Sequence, residues 1–288
     1  MGRWRAGGAQ LVVDVDLRDA ATFCALDPVA SVLAASRIEA AVAAGAQHSG
    51  GSVWGVERDG RLVGICWAGA NLVPVCHAED TRTIDAFADA AVRHGRRCSS
   101  IVGEAGAVLQ LWERLRDDWP TPRDIRPDQP SLVIDRPATV APDPAVRRAR
   151  PDEVELLLPA SVQMFVEEVG YSPVTGGSGA YESRVRSLIL AGQSYVRVDE
   201  GPRGPEVVFK ADLGAVSRRV AQVQGVWVAP RLRGRRISEH GMAAVVEHAL
   251  GQVAPVLSLY VNRYNTRALA SYLRVGFREV GRYATILF

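Results

Sequence analysis

The sequence predicts an α/β chain with mixed sheets (α+β in connectivity), built as two tandem domains of which the N-terminal one is a degenerate copy. Three observations lead there. The 288 residues are more than one hydrophobic core ordinarily serves, and two domains of about 140 residues fit that length. Short apolar runs alternate with helix-period segments in the same rhythm in both halves. Between them prolines crowd from Asp117 to Asp143 (Pro120, Pro122, Pro127, Pro130, Pro137 and Pro142), and each fixes φ and removes a backbone donor. The expected boundaries are a first domain over 1–136, a linker over 137–144 and a second domain over 145–288.

In the first half a strand is expected from Gln10 to Val15, then helices near Ala20–Cys24 and Val29–Ala44. Strands Val53–Glu57 and Leu62–Ala68 flank the turn Arg58-Asp59-Gly60, and Asn71–Cys76 reads as a third. A helix (Thr81–Arg93), a strand (Cys98–Val102), a helix (Ala107–Leu115) and a short strand at Ser131–Ile134 complete it. In the second half, Ala145–Arg150 opens a strand and Pro151-Asp152-Glu153 starts a helix, with proline and acids in its first turn. A Gly/Ser-rich loop (Thr175–Gly179) leads to a helix near Tyr181–Ala191. Strands follow at Ser194–Val198, Glu206–Ala211 and Arg219–Val228. A helix after an arginine loop, a strand (Pro255–Val261), a helix (Thr266–Val275) and a strand pair or hairpin over Phe277–Phe288 close the chain. The order is β-α-α-β-β-β-α-β-α-β.

Composition narrows the function classes. Apolar residues make up 48% and charged residues 23%, which excludes general disorder. A net charge of +2 gives no electrostatic case for nucleic acid or an anionic membrane. Lys210 is the single lysine among 34 basic residues. Cys24, Cys66, Cys76 and Cys98 form no CxxC pair, so neither a metal site nor a disulfide scaffold is expected. No apolar run reaches membrane-spanning length and no signal-like segment opens the chain, so a cytoplasmic location is expected.

Two segments carry chemistry. In Gly225-Val-Trp-Val-Ala-Pro-Arg-Leu-Arg-Gly-Arg-Arg-Ile-Ser238 a buried strand runs into an arginine and glycine loop and then into a helix. The first helical turn offers free N–H groups and the positive dipole end, a seat for a pyrophosphate; solvated arginines on an ordinary turn are the plainer reading. In the second segment Asn265, Ala268, Tyr272, Gly276 and Phe277 follow the pattern Asn-x-x-Ala-x-x-x-Tyr-x-x-x-Gly-Phe, with Gly276 where a helix favours a C′ glycine.

Together the two segments resemble the signature regions of the GNAT superfamily of acyltransferases, and the whole chain is similar to two-domain actinobacterial GNAT proteins. Arg236 and Ser238 stand where the family's loop has glycine and glycine or alanine. The resemblance implies two GNAT-like domains with acetyl-CoA as acyl donor, a primary amine as acceptor, and no metal. It implies that strand residues Val226, Trp227 and Val228 hold the pantetheine arm. Amides of Arg233, Gly234, Arg235, Arg236, Ile237 and Ser238 would hold the pyrophosphate, and Asn265 would meet the coenzyme. Tyr272 is the implied general acid. The base is open: Glu167 or Glu168, at the end of the first helix of this half, or the carboxylate of Phe288. The altered loop leaves a non-catalytic acyl-CoA-binding or interaction protein as the alternative. The first half has Val73–Ala78 in place of the loop, so coenzyme binding is not expected there. Cys98 and His94 have no third group to make a nucleophile pair.

Overall fold

The structure, a computed structural model, describes residues 4–6, 9–13, 15–44, 50–174, 179–202 and 204–288. Most of the expected Gly/Ser loop, 175–178, lies outside the described residues. The chain divides into two compact units.

The first unit comprises Met1–Leu132, Tyr260–Tyr264 and Glu279–Phe288. Its elements are β1 (Trp4–Ala6), β2 (Ala9–Val13), α1 (Leu17–Cys24), α2 (Val32–Ala44), β3 (Ser52–Arg58), β4 (Arg61–Ala68), β5 (Asn71–Cys76), α3 (Thr81–His94), β6 (Ser100–Glu104), α4 (Ala105–Leu115) and β7 (Asp124–Ile134). Nearly all of β13 (Arg278–Leu287), the chain's last strand, belongs here as well. The strand order is β1-β2-β3-β4-β5-β6-β13-β7. One apolar layer joins Trp54, Cys66, Ile84, Phe87, Leu111 and Leu115 to Ala284 and Ile286 of β13. A second joins Ile38, Ile65, Trp67 and Val102 to Tyr283.

The second unit comprises Val133–Leu259 and Asn265–Arg278. It holds β8 (Arg147–Arg148), α5 (Val154–Val169), α6 (Gly179–Leu190), β9 (Ser194–Gly201), β10 (Gly204–Val216), β11 (Val220–Val228), α7 (Ile237–Gln252), β12 (Val256–Tyr260) and α8 (Thr266–Val275). The strand order is β12-β11-β10-β9-β8, antiparallel except for the β11–β12 pair. Val154, Leu157, Ala160 and Ser161 of α5 are buried at i, i+3, i+6 and i+7, a helical stripe. That stripe and Val185 and Ile189 of α6 cluster with Val196, Val207 and Trp227 on one face of the sheet. On the other face α7 lies close. A Cβ on Gly241 would come within 2.7 Å of the Phe209 ring, so glycine is what permits the approach.

Four expectations change. Residues 278–287 form one strand, not a hairpin, and it pairs antiparallel with β6 from Tyr283↔Glu104 to Leu287↔Ser100. The second unit is therefore not the continuous stretch 145–288; it begins at Val133 and excludes residues 279–288. The strand expected only at Ser131–Ile134 starts seven residues earlier, at Asp124, and runs through Pro127 and Pro130. Proline removes a donor and leaves its acceptor. The carbonyls of Pro130 and Asp128 accept from the N–H groups of Val261 (3.2 Å) and Arg263 (3.1 Å), which carry that edge of the strand. The expected strand over Ala145–Arg150 shrinks to the two residues of β8.

Candidate functional site

β11 pairs with β12 only at Val220↔Val256, Ala221↔Leu257 and Gln222↔Ser258. Beyond Gln222, β11 continues to Val228 with no partner on that edge among the described pairings, so the two strands part. The opening leads to the 3-10 turn Pro230–Leu232 and then to α7. Gly234 (φ 79°) and Arg236 (φ 60°) both lie in the left-handed region. Among the described residues no side chain caps α7, so the Ile237 and Ser238 amides at its start remain available to an anion on the positive end of the dipole. The expected loop residues from Arg233 to Ser238 thus surround one helix N-terminus.

The arginines divide by what they touch. Arg231 pairs with Glu206. Arg233 donates to the Val228 carbonyl (3.0 Å) and to Glu167 on α5 (2.6 Å). Arg236, itself exposed, holds the buried Glu239 (2.8 Å), which also binds Arg274 of α8 (2.9 Å). Glu239 is 2% exposed. Although burial opposes its charge, the hydrogen bonds from Arg274 and Arg236 prevail and hold its carboxyl below the ordinary range. Arg235 is exposed and pairs with no carboxylate among the described residues. The charge expected of Arg236 is therefore committed within the protein; Arg235 is the free one.

Among the remaining expected residues, Val226 and Val228 are half-buried on β11 and Trp227 is buried. Asn265 caps α8, its side-chain oxygen accepting from the Ala268 amide at 3.2 Å, which gives that motif position a structural task. Tyr272 is buried on α8, its ring edge-on to Phe277. Burial, with the nearby charge of Glu168, pushes its phenol well above the usual tyrosine range. The same carboxylate contributes to raising Tyr181 of α6 to about 12, after burial and the charge of Asp212. Glu168, exposed at the end of α5, acts on both tyrosines through its charge. Phe288 is not: its ring lies edge-on to Trp112 and Trp119 in the first unit, beneath the Arg96 guanidinium. These surroundings lend no support to a role for its carboxylate as a base.

One cluster escaped the sequence reading. Lys210 on β10 is fully buried and donates to Asp212 (2.6 Å) and to the Gly225 carbonyl (3.2 Å). Asp212 also accepts from the Ser194 hydroxyl (2.6 Å). The available signal was the chain's only lysine, two residues from an aspartate inside a strand. His240 and His248, on α7, do structural work: His240 meets the Ala141 carbonyl (2.8 Å) and His248 stacks on Tyr195.

In the first unit the start of α3 is already filled by an anion. Asp80 accepts from the Thr83 amide (3.3 Å) and hydroxyl (2.8 Å), and Arg58 holds both of its oxygens. A cleft of about 380 Å³ opens elsewhere in this unit, between Trp54, Leu72, His94, Gly95, Cys98 and Trp119. It lies at the C-terminal end of α3, where the dipole disfavours a phosphate.

Residues 195–277 match the model of the acetyltransferase (GNAT) family, and residues 51–157 match that of a domain of unknown function (DUF4081). No curated protein matches the sequence. A Drosophila protein of known structure is 13% identical with a TM-score of 0.64, over 96% of this chain and 98% of its own. A GCN5-related N-acetyltransferase from Sphaerobacter thermophilus is 17% identical with a TM-score of 0.56, over 96% and 94%. A tandem GNAT protein from the clavulanic acid biosynthesis pathway is 12% identical with a TM-score of 0.53, over 97% and 98%. The chain carries the mixed α/β fold of the GNAT acetyltransferases, with a match to a domain of unknown function in its N-terminal half.

Proposed function

We propose that the second unit binds acetyl-CoA in the opening between β11 and β12 and transfers the acetyl group to a primary amine of a small molecule, peptide or protein. The observation that carries this reading is an unpartnered strand edge ending at an uncapped helix start. The pantetheine arm would lie along Val226, Trp227 and Val228, and the pyrophosphate on the amides from Gly234 to Ser238, since the Arg233 amide is bonded to the Pro230 carbonyl (3.3 Å), with Arg235 supplying charge. Asn265, its oxygen engaged in the cap, has its amide NH2 left for the coenzyme.

The reaction forms a C–N bond and breaks a C–S bond. The neutral amine attacks the thioester carbonyl, the tetrahedral oxyanion collapses, the CoA thiolate departs, and the second proton shed by the nitrogen goes to that thiolate or to solvent. Glu168 is our choice for the group that takes the ammonium proton before attack, directly or through water. Tyr272, protonated throughout because its phenol is raised, would donate a hydrogen bond to the sulfur as charge gathers there. We read the first unit as a tandem copy without a coenzyme site, a reading that Asp80 at the start of α3 supports.

Calorimetry with acetyl-CoA, followed by release of free CoA thiol across an amine panel, tests the proposal. Binding with amine-dependent thiol release is expected. Binding with no release for any amine would favour the acyl-CoA-binding alternative. Absence of binding at about millimolar ligand, where the free-energy change is only about −4 kcal/mol, would sink both.

A further inference from the structure

Lys210 asks for an explanation that stability does not supply. Burying an ammonium costs several kcal/mol even when it is paired, and apolar side chains of the same volume commonly serve a core as well or better. Yet the single lysine among 34 basic residues is fully buried, held by Asp212 and aimed at a backbone carbonyl.

That carbonyl belongs to an irregular place. Between the pairs Asp212↔Gln224 and Lys210↔Trp227 the register shifts, and Gly225 and Val226 have no Cα partner on β10. Gly225 stands at φ 58°, the left-handed region, which turns its peptide from the direction a regular strand would give it. A carbonyl so turned needs a donor, and Lys210 provides one at 3.2 Å. The space there is tight: a Cβ on Gly225 would come within 2.9 Å of the Met164 methyl and 3.4 Å of the Lys210 nitrogen. A compact ammonium suits such a place, whereas a planar guanidinium needs more room. In a planar trans peptide the C=O and the following N–H point in opposite directions. With the Gly225 carbonyl fixed on Lys210, the Val226 N–H is fixed pointing away from it.

The geometry points to Lys210 as a positioning residue that presets the Val226 N–H as a donor to the carbonyl oxygen of the bound acyl thioester. This rests on the acyl-transfer reading above. Asp212, itself bonded by the Ser194 hydroxyl, then holds the lysine in place, and neither needs to touch substrate.

The test uses the full chain labelled with ¹⁵N-valine and titrated with acetyl-CoA and, separately, with CoA. The Val226 amide resonance should move downfield with acetyl-CoA relative to CoA. Lys210→Met should abolish that difference while acetyl-CoA affinity stays within about threefold. Where an amine is turned over, kcat should fall about 10- to 100-fold with little change in KM, less than the full loss of an oxyanion donor. Lys210→Met leaves the Asp212 carboxylate without its cation; the uncharged pair K210M/D212N answers the same question if the single variant fails to fold. Asp212→Asn alone keeps the Lys210–Gly225 hydrogen bond and should keep the acetyl-specific shift. The inference is overturned if the shift persists in the Lys210→Met variants. It is equally overturned if Asp212→Asn abolishes the shift at wild-type thermal stability, which would transfer the role to the carboxylate. Wild-type protein that binds acetyl-CoA without an acetyl-specific shift overturns this inference alone. Wild-type protein that binds no acetyl-CoA overturns the acyl-transfer reading and this inference with it.

Discussion

At the scale of single residues, Arg236 shows two opposed terms that magnitudes can order. Its left-handed backbone costs about 1–2 kcal/mol in a residue with a Cβ, and glycine would remove that cost. Its guanidinium, however, is one of two partners of a carboxylate that is 2% exposed, and stranding half of a buried charge costs about 1–3 kcal/mol. Arg236→Gly should therefore destabilise the fold by only about 0.5 kcal/mol in urea titration, the difference between the centres of the two ranges. Calorimetry should find its acetyl-CoA affinity within about threefold of wild type, because the backbone amide remains. Tyr272→Phe separates catalysis from packing. It keeps the ring against Phe277, so coenzyme binding should persist while turnover drops about 10²-fold; equal loss of both would mean the residue is only a core tyrosine. The thiols make a third case. Burial pushes Cys24 and Cys76 to about 12 and raises Cys66 and Cys98 as well. At pH 8 a thiol with a pKa of about 12 is only about one part in 10⁴ thiolate. Native protein should thus react with Ellman's reagent far more slowly than urea-unfolded protein, in which all four cysteines should titrate. The Asn265–Phe277 motif was legible because its cap, buried tyrosine and C′ glycine are local. The Lys210–Asp212–Gly225 contact was not, because a bulge on the neighbouring strand creates it.

At the scale of elements, α7 and α8 are tied by one buried carboxylate, since Glu239 of α7 binds Arg274 of α8 and Arg236 at its own helix start. Its carboxyl is held below the ordinary value. A depressed folded-state pKa contributes stability above the unfolded value, and that stability is lost as pH falls through the folded one. Unfolding free energy should therefore drop between about pH 5 and pH 3. Asp80 and Glu153 are depressed too and add to the same slope. Glu239→Gln should be less stable at neutral pH yet show a flatter acid limb, read from urea titrations at stepped pH. An unchanged slope would mean that Glu239 gains nothing from its arginines. Helices were the easier elements to place from sequence, because capping and a 3.6-residue period are properties of adjacent residues. β7 was cut short because proline density argues against a strand only when all donors must come from that strand. Here Val261 and Arg263 donate instead, and they lie more than a hundred residues away in sequence.

At the scale of the whole molecule, chain order and compact units do not coincide. The chain leaves the first unit after Leu132, returns for Tyr260–Tyr264 and returns finally at Glu279. The last strand fills the core it re-enters: Ala284 and Ile286 are fully buried, and the Tyr283 hydroxyl donates to the carbonyls of Val29 and Ala30 at 2.9 Å each. Thr285 donates to Gln129 (2.6 Å), which in turn donates to Asn262 (2.9 Å), so both returning segments are bonded to β7. No composition shift at 137–144 could reveal this, because a strand's sequence carries its face pattern but not the identity of its neighbours. The consequence can be measured. A fragment ending at residue 136 lacks Tyr283 and Ile286, whose burial contributes about 1.5–3 kcal/mol each, and it exposes the β6 edge that β13 covers. Against a total stability of about 5–15 kcal/mol for a domain, that loss together with an open strand edge should prevent independent folding. Expressed alone, residues 1–136 should show no cooperative thermal transition and should aggregate. Co-expression with residues 137–288 should restore a soluble complex that unfolds in a single step. A monomeric 1–136 fragment with a sharp transition and native-like amide dispersion would show that the last strand is an accessory to the first unit and not part of its core.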